Sequence, residues 1–165
     1  MEISLASYTE LKAPVRTVEE VDLLLRDLRP WLFRLALAIT TRPDSAEDAA
    51  QEALIRAAKS RHKLTSVQEP RAWLRTVVVR CALTSISKIT PERLIDQEIH
   101  RDPTETLAVR QILDRMDPTD RVVLALSHFE ELSYAEIADT LGIPVGTVGS
   151  RLHSARESFK REWTR

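Results

Sequence analysis

Residues 133–163, SYAEIADTLGIPVGTVGSRLHSARESFKREW, decide the fold. Ser133 and Glu136 stand three apart, the spacing at which each side chain can take up the other's free backbone N–H at a helix start. Tyr134, Ile137, Ala138 and Leu141 then fall on one face, and Gly142 supplies a residue able to end the helix with positive φ. Ile143 and Pro144 turn the chain, and a second helix carries Val148, Leu152, Ala155 and Phe159 inward at steps of four, three and four. Two short helices with a tight Gly-containing turn read as a helix-turn-helix, whose second helix fits a major groove roughly 12 Å wide. A plain helical hairpin with a solvated basic face has the same apolar pattern, so the outward residues carry the distinction.

Those outward residues are Thr147, Ser150, Arg151 and Ser154, with His153, Arg156, Lys160 and Arg161 beside them. Between Gly146 and Arg165 five basic residues face two acidic ones, in a chain whose 24 Lys+Arg and 25 Asp+Glu leave a net charge of -1. Such a chain does not coat nucleic acid unaided, and any DNA binding is local or assisted. Up to Lys88 the chain has 14 basic and 11 acidic residues, and after it 10 and 14, so charge is segregated along its length. An exposed helix N-terminus can hold a phosphate, and Arg can pair with phosphate or with guanine O6 and N7.

Upstream, apolar residues recur at Val21, Leu25, Leu28, Leu32, Leu35 and Ile39 in the alternating steps of an amphipathic helix. Pro30 interrupts the ladder, either opening a second helix or kinking one long one. Asp44 with Glu47 has capping-box spacing and predicts a helix over 45–59, with Ala46, Ala50, Ala53, Leu54 and Ala57 inward. On its outward side Asp48, Gln51, Glu52 and Ile55 stand at i, i+3, i+4 and i+7, an acidic stripe with an apolar end. That stripe suits a basic partner surface; a solvated face is the plainer explanation. A loop over 60–69 leads to PRAWLRTVVVRCALTSISK (70–88), a helix by the spacing of Leu74, Val77, Val78 and Cys81, although Val77, Val78 and Val79 alone would also suit a strand.

From Ile89 to Thr106 the periodicity lapses, and Pro91, Pro103 and mixed charge predict a linker about which two halves move. Periodicity returns at Val109, Ile112, Leu113 and Met116, breaks at Asp117-Pro118 and resumes through Val122, Val123, Leu126 and Phe129. With only 3 Gly and 8 Pro in 165 residues, the expectation is an all-α protein of two small helical domains. Their expected bounds are 18–88 and 107–165, joined by a linker over 89–106 and preceded by an N-terminal extension, 1–17.

Cys81 is the single cysteine, and its apolar run favours a buried thiol over a redox sensor. The start of the chain has no basic leader before an apolar core, and no run approaches the roughly 18 apolar residues of a membrane span, so no membrane insertion and a cytoplasmic location are expected. His62, His100, His128 and His153 are scattered, with no Gly-rich phosphate loop and no CxxC or HExxH motif, so no enzyme, catalytic residue, metal site or cofactor is expected.

The 133–156 stretch resembles the region-4 helix-turn-helix of the group IV (extracytoplasmic-function, ECF) sigma factors of the sigma-70 family, where SYxEIAxxLGIPVGTVxSRLxxAR is typical. The resemblance implies that Ser133 to Leu152 is the helix-turn-helix and that the helix from near Val145 reads the −35 element, through Thr147, Ser150, Arg151, Ser154 and Arg156. The family usually has a basic residue in place of Gly149 and often another at Ser154. DSAEDAAQEALIRA (44–57) is similar to the region-2 signature DAEDLVQETFLRA, which implies that Asp48, Gln51, Glu52 and Ile55 bind core RNA polymerase. PRAWLRTVVVRCALTSISK is similar to the segment that opens and reads the −10 element, which implies Arg71, Trp73 and Arg80 as DNA contacts, aromatic stacking and Arg–phosphate pairing being what strand capture needs. Trp73 fits equally as a core anchor. Cys81 stands where the family usually has Asn, and Thr84, Ser85 and Ser87 replace its usual charged residues.

Taken together, the resemblance implies a transcription-initiation factor whose partners are core RNA polymerase, promoter DNA and an anti-sigma factor. Two other functions remain open at this point. One is a sigma-like adaptor that sequesters an anti-sigma protein, favoured by the altered 81–87 segment. The other is a dimeric helix-turn-helix repressor, which would need paired half-sites about one DNA turn apart.

Overall fold

The computed structural model describes residues 16–87 and 105–164. The expected linker, nearly all of the N-terminal extension and Arg165 lie outside the described residues. Every regular element among those described is helical: α1 (Val18–Thr40), α2 (Pro43–Lys59), the single turn α3 (Arg61–Leu64), α4 (Pro70–Ser87), α5 (Glu105–Arg115), α6 (Pro118–His128), α7 (Tyr134–Leu141) and α8 (Val145–Trp163).

The spine is α1. Thr17 accepts from the Glu20 N–H at 3.1 Å and the Glu20 carboxylate accepts from Thr17 in return, so the helix starts on a full capping box. Pro30 lies inside it, so α1 is one helix; the proline sits on the exposed side, where water can reach the carbonyl left without an N–H partner. Val21, Leu28, Leu32, Leu35 and Ile39 are all but fully buried, each such side chain contributing roughly 1.5–3 kcal/mol.

Against this face lies α2, whose Ala46, Ala49, Ala50, Ala53 and Ala57 are buried; small side chains let the two helix axes come close. The start of α2 departs from expectation. Its N-cap is Arg42, with no side-chain cap, and Asp44 lies in the first turn instead of capping it. Pro43, at the first helical position, carries the φ a helix needs and starts the helix ahead of the Asp44–Glu47 pair. Part of the expected 60–69 loop is also helical, as α3. The Val77–Val79 run is helical, since α4 packs on α1 and α2 and also meets α6 and α7, burying Val78, Val79, Cys81 and Ala82. Burial pushes the Cys81 thiol pKa up, as suits a structural cysteine, with nearby Arg56 opposing.

In the second half Asp117 caps α6 by accepting from the Thr119 N–H at 2.8 Å, and Pro118 takes the first helical position. Bonds from the Thr119 hydroxyl and N–H hold the Asp117 carboxyl below its usual pKa range. The expected Ser133–Glu136 capping box is present, and Gly142 ends α7 at φ 67°.

Contrary to the expectation of two halves free to move, the halves are packed together: α1 lies against α5 and α6, and α4 against α6 and α7. Two polar knots pin this seam. In the first, Thr41 ends α1 at φ 61°; its carbonyl accepts from Arg110 Nε at 2.5 Å, and its hydroxyl lies 2.5 Å from Asp114 and 3.2 Å from Arg121. Arg121 is only 4% exposed, and burial lowers its pKa against the pull of Asp114 and Asp117. In the second, Glu130, in the α6–α7 turn, accepts from Trp31 Nε1 at 2.6 Å and from Arg75 Nε at 3.1 Å, with Arg71 at 3.9 Å. The Arg71 guanidinium also stacks 4.8 Å from the centre of the Trp31 ring.

Next to Glu130, two residues past the Phe129 cap of α6, Glu131 has φ 54°, a conformation that suits glycine, and its side chain is exposed. Glu131→Gly is therefore expected to stabilise the fold by about 1 kcal/mol, as the left-handed penalty is lifted and partly offset by glycine's greater chain entropy. Urea denaturation followed by circular dichroism measures it; an unchanged or lower midpoint would count against strain at this turn.

Candidate nucleic-acid interface

The helix-turn-helix is α7 and α8. Ile137 and Ala138 of α7 and Val148, Leu152 and Ala155 of α8 are buried, which fixes the rotation of α8 and the residues it turns outward. Ser150 and Ser154 are exposed, while Thr147 and Arg151 are half-buried. Ser150 donates to the Thr147 carbonyl at 3.0 Å, and Ser154 donates to Asp120 of α6 at 3.0 Å. The positive charge of Arg151 acts on Asp117, so this side of α8 faces the start of α6. At about 100° per residue, Arg156 stands roughly 140° around α8 from Arg151. It lines a different surface, an apolar groove of about 470 Å³ with Val109, Leu113, Leu124, Phe129, Phe159 and Lys160. The five −35 candidates are thus not brought to one face: Thr147, Ser150, Arg151 and Ser154 form one group and Arg156 is separate.

Gly149 lies between Thr147 and Arg151. A Cβ there would meet only the Tyr134 ring, at 3.7 Å, which is ordinary contact. At Gly146, near the helix start, a Cβ would meet nothing within 4 Å.

On α2 the four docking candidates, Asp48, Gln51, Glu52 and Ile55, are all exposed, with Ile55 at 42%. Glu52 pairs with Arg56 at 2.7 Å, one turn on; the pair is open to water and of small energetic value. The stripe lies on the side of α2 away from its alanine face.

The −10 candidates divide. Trp73 is half-buried against the core, Arg80 is exposed, and the two stand seven residues apart on one side of α4. Arg71 lies on the opposite side, with Arg75, in the Glu130 knot. Of that knot only Arg71 was an expected site residue, while Glu130, Arg75 and Trp31 were not; the groove between α6 and α8 was not expected either, although Arg156 on its wall was. The nearest signal for the groove was aromatic: Phe129 and Trp163 are large apolar residues left 44% and 53% exposed, and Trp163 stacks on Phe159.

Comparison with known proteins bears on both halves. Residues 24–90 match Sigma-70 region 2, and residues 106–159 match Sigma-70, region 4. The chain is 32% identical over 143 residues to the ECF RNA polymerase sigma factor SigL of Mycobacterium tuberculosis, covering 78% of this chain and 80% of that one. The chain belongs to the ECF sigma factors of the sigma-70 family. A second relative of this family, the ECF RNA polymerase sigma factor SigW of Bacillus subtilis, is 27% identical over 153 residues, covering 79% of this chain and 82% of its own length. Among solved structures, the sigma factor RpoE in complex with the anti-sigma factor NepR from Bartonella quintana superposes with a TM-score of 0.72 at 19% identity, covering 88% of this chain and 98% of that one. CnrH in complex with the cytosolic domain of CnrY follows at 0.64 and 21%, covering 88% of each chain. At these identities the two structures bear on the fold alone. That fold is all-α, with region 2 in α1–α4 and region 4 in α5–α8.

Among the described residues no helix is long and apolar enough to cross a membrane, and no group of His, Cys, Asp and Glu could hold a metal ion.

Proposed function

We propose that the chain is a transcription-initiation factor that binds core RNA polymerase through α2 and carries it to promoters with −10 and −35 elements, acting in the cytoplasm with no catalytic activity of its own. The observation that carries this reading is the presence, in one chain and in family order, of an exposed acidic stripe on region 2 and a helix-turn-helix on region 4. Residues 18–88 and 107–165 would then be the two working domains, joined over 89–106. Asp48, Gln51, Glu52 and Ile55 contact polymerase; Trp73 and Arg80 meet the −10 strand from one side of α4 and Arg71 from the other. Thr147, Ser150, Arg151 and Ser154 lie nearest the −35 element. The helix-turn-helix alone would also suit a dimeric repressor, but a repressor has no use for the region-2 stripe. An anti-sigma partner is proposed as well, since a protein of the same fold was solved with one bound.

Reversing charge at Asp48 and Glu52 together is expected to weaken binding to core polymerase at least tenfold while helical content by circular dichroism stays as it was, because both side chains are exposed. Pull-down and titration with core polymerase check this; unchanged affinity would remove the docking assignment. On α8, Arg151→Ala should lose on the order of 1–3 kcal/mol at promoters carrying one particular −35 base and little elsewhere, as a bidentate guanine contact requires. Arg156→Ala, on the groove side, should leave base preference alone. Titration of both variants, bound to polymerase, against promoters with single −35 substitutions tests the pair. An equal loss at every promoter for Arg151→Ala would leave it a phosphate contact.

A further inference from the structure

The side chain of Glu130 belongs to region 4 but is used up by region 2. It is 2% exposed, and its two oxygens are taken by the Trp31 indole N–H at 2.6 Å and by Arg75 at 3.1 Å, with Arg71 at 3.9 Å. Arg71 and Arg75 stand four apart on one side of the helix that carries the −10 candidates, the spacing at which two guanidinium groups can converge on one anion. An oxyanion that accepts from an indole N–H and one guanidinium, with a second guanidinium at ion-pair distance, is met by donors of the kind that grip a nucleic-acid phosphate. From this geometry we infer that Glu130 is an intramolecular stand-in for promoter phosphate: in the free chain it occupies Arg71 and Arg75, and DNA gains them only when the two halves part.

Three further observations fit this latch. The two non-glycine residues with positive φ among those described, Thr41 and Glu131, both lie at the seam, one within the first knot and the other next to Glu130. Backbone strain of that kind persists where surrounding contacts hold it, and it is released when they part. The knots that set the seam's register are also polar, and separated carboxylate, guanidinium and hydroxyl groups regain water, which offsets part of the cost of exposing the apolar contact of α1 with α6. The polymerase stripe on α2, finally, is exposed with the halves closed, so polymerase can dock first and DNA be admitted second.

The proposal rests on the promoter-binding reading, and its test is kept separate from that reading. The full chain and its E130Q, E130A and E131Q variants are compared by small-angle X-ray scattering and by titration with a fluorescein-labelled, mixed-sequence single-stranded oligonucleotide at several salt concentrations. E131Q removes a neighbouring exposed carboxylate and so controls for net charge. The expected result is a larger radius of gyration for E130Q and E130A, at least tenfold tighter oligonucleotide binding, and a salt dependence steeper by one to two phosphate contacts, with E131Q like the parent. Compact E130Q and E130A with parental affinity, or E131Q matching E130Q, would overturn the latch. A readout free of any variant is the parent chain with excess oligonucleotide, which should expand on binding; tight binding by a chain that stays compact would overturn the proposal even if the variants failed to fold. Polymerase binding and run-off transcription by the parent chain decide the promoter reading independently.

Discussion

Burial of one face of α1 is the constraint on which the rest of the molecule hangs. That face runs from Val21 to Ile39 and is covered in turn by α2, α4 and α6, helices from both halves of the chain. A helix of 23 residues is roughly 34 Å long, so a single stripe can order both halves along one axis. Pro30 is tolerated because it falls on the side the stripe leaves to solvent. The alanines of α2 follow from the same demand, since larger side chains there would push α2 away from the stripe and open voids along it.

The seam between the halves has a different chemistry from the interior of either. Its knots are charged and centred on the buried Arg121 and Glu130 side chains, with charged partners that are half-buried or, at Asp114, exposed. The net worth of a buried pair over an apolar contact of the same shape is small, whereas stranding a buried charge costs about 3–5 kcal/mol. Knots of this kind therefore define one arrangement sharply without binding it tightly. Arg121 shows the tension: nearly fully buried, it donates to Thr41 and to the Met116 carbonyl, yet its Nε finds no partner among the described residues. The apolar contacts of α1 with α6 bring the halves together, and the knots set their register.

What was legible in the sequence was what is local. Ser133 with Glu136, Gly142 and the four–three–four spacing of α8 are separated by a turn or two of helix, and each appears as read. Where two local rules competed, the stronger backbone constraint prevailed: Pro43 set the start of α2 ahead of the Asp44–Glu47 pair. The four stripe residues on α2 are exposed as the spacing required. The Glu130 knot left no mark in the sequence, because its partners lie 99 and 55 positions away and nothing periodic connects them. For the same reason the packing of the halves on one another was not legible, as a contact between distant segments has no local pattern. Arg156, read as flanking the outward group, stands farther around α8 than that, on the groove side.

Gly149 gives the recognition helix room to evolve. Glycine inside a helix costs roughly 1 kcal/mol relative to alanine, and here the backbone has no need of it, since φ is ordinary and a Cβ would rest against the Tyr134 ring without displacing it. A lineage that replaced it with arginine would gain helix stability and a new cation beside Ser150 in the same step, with no repacking of the core. Mutation therefore has a way to add charge to this face of α8 that does not first pass through a less stable protein.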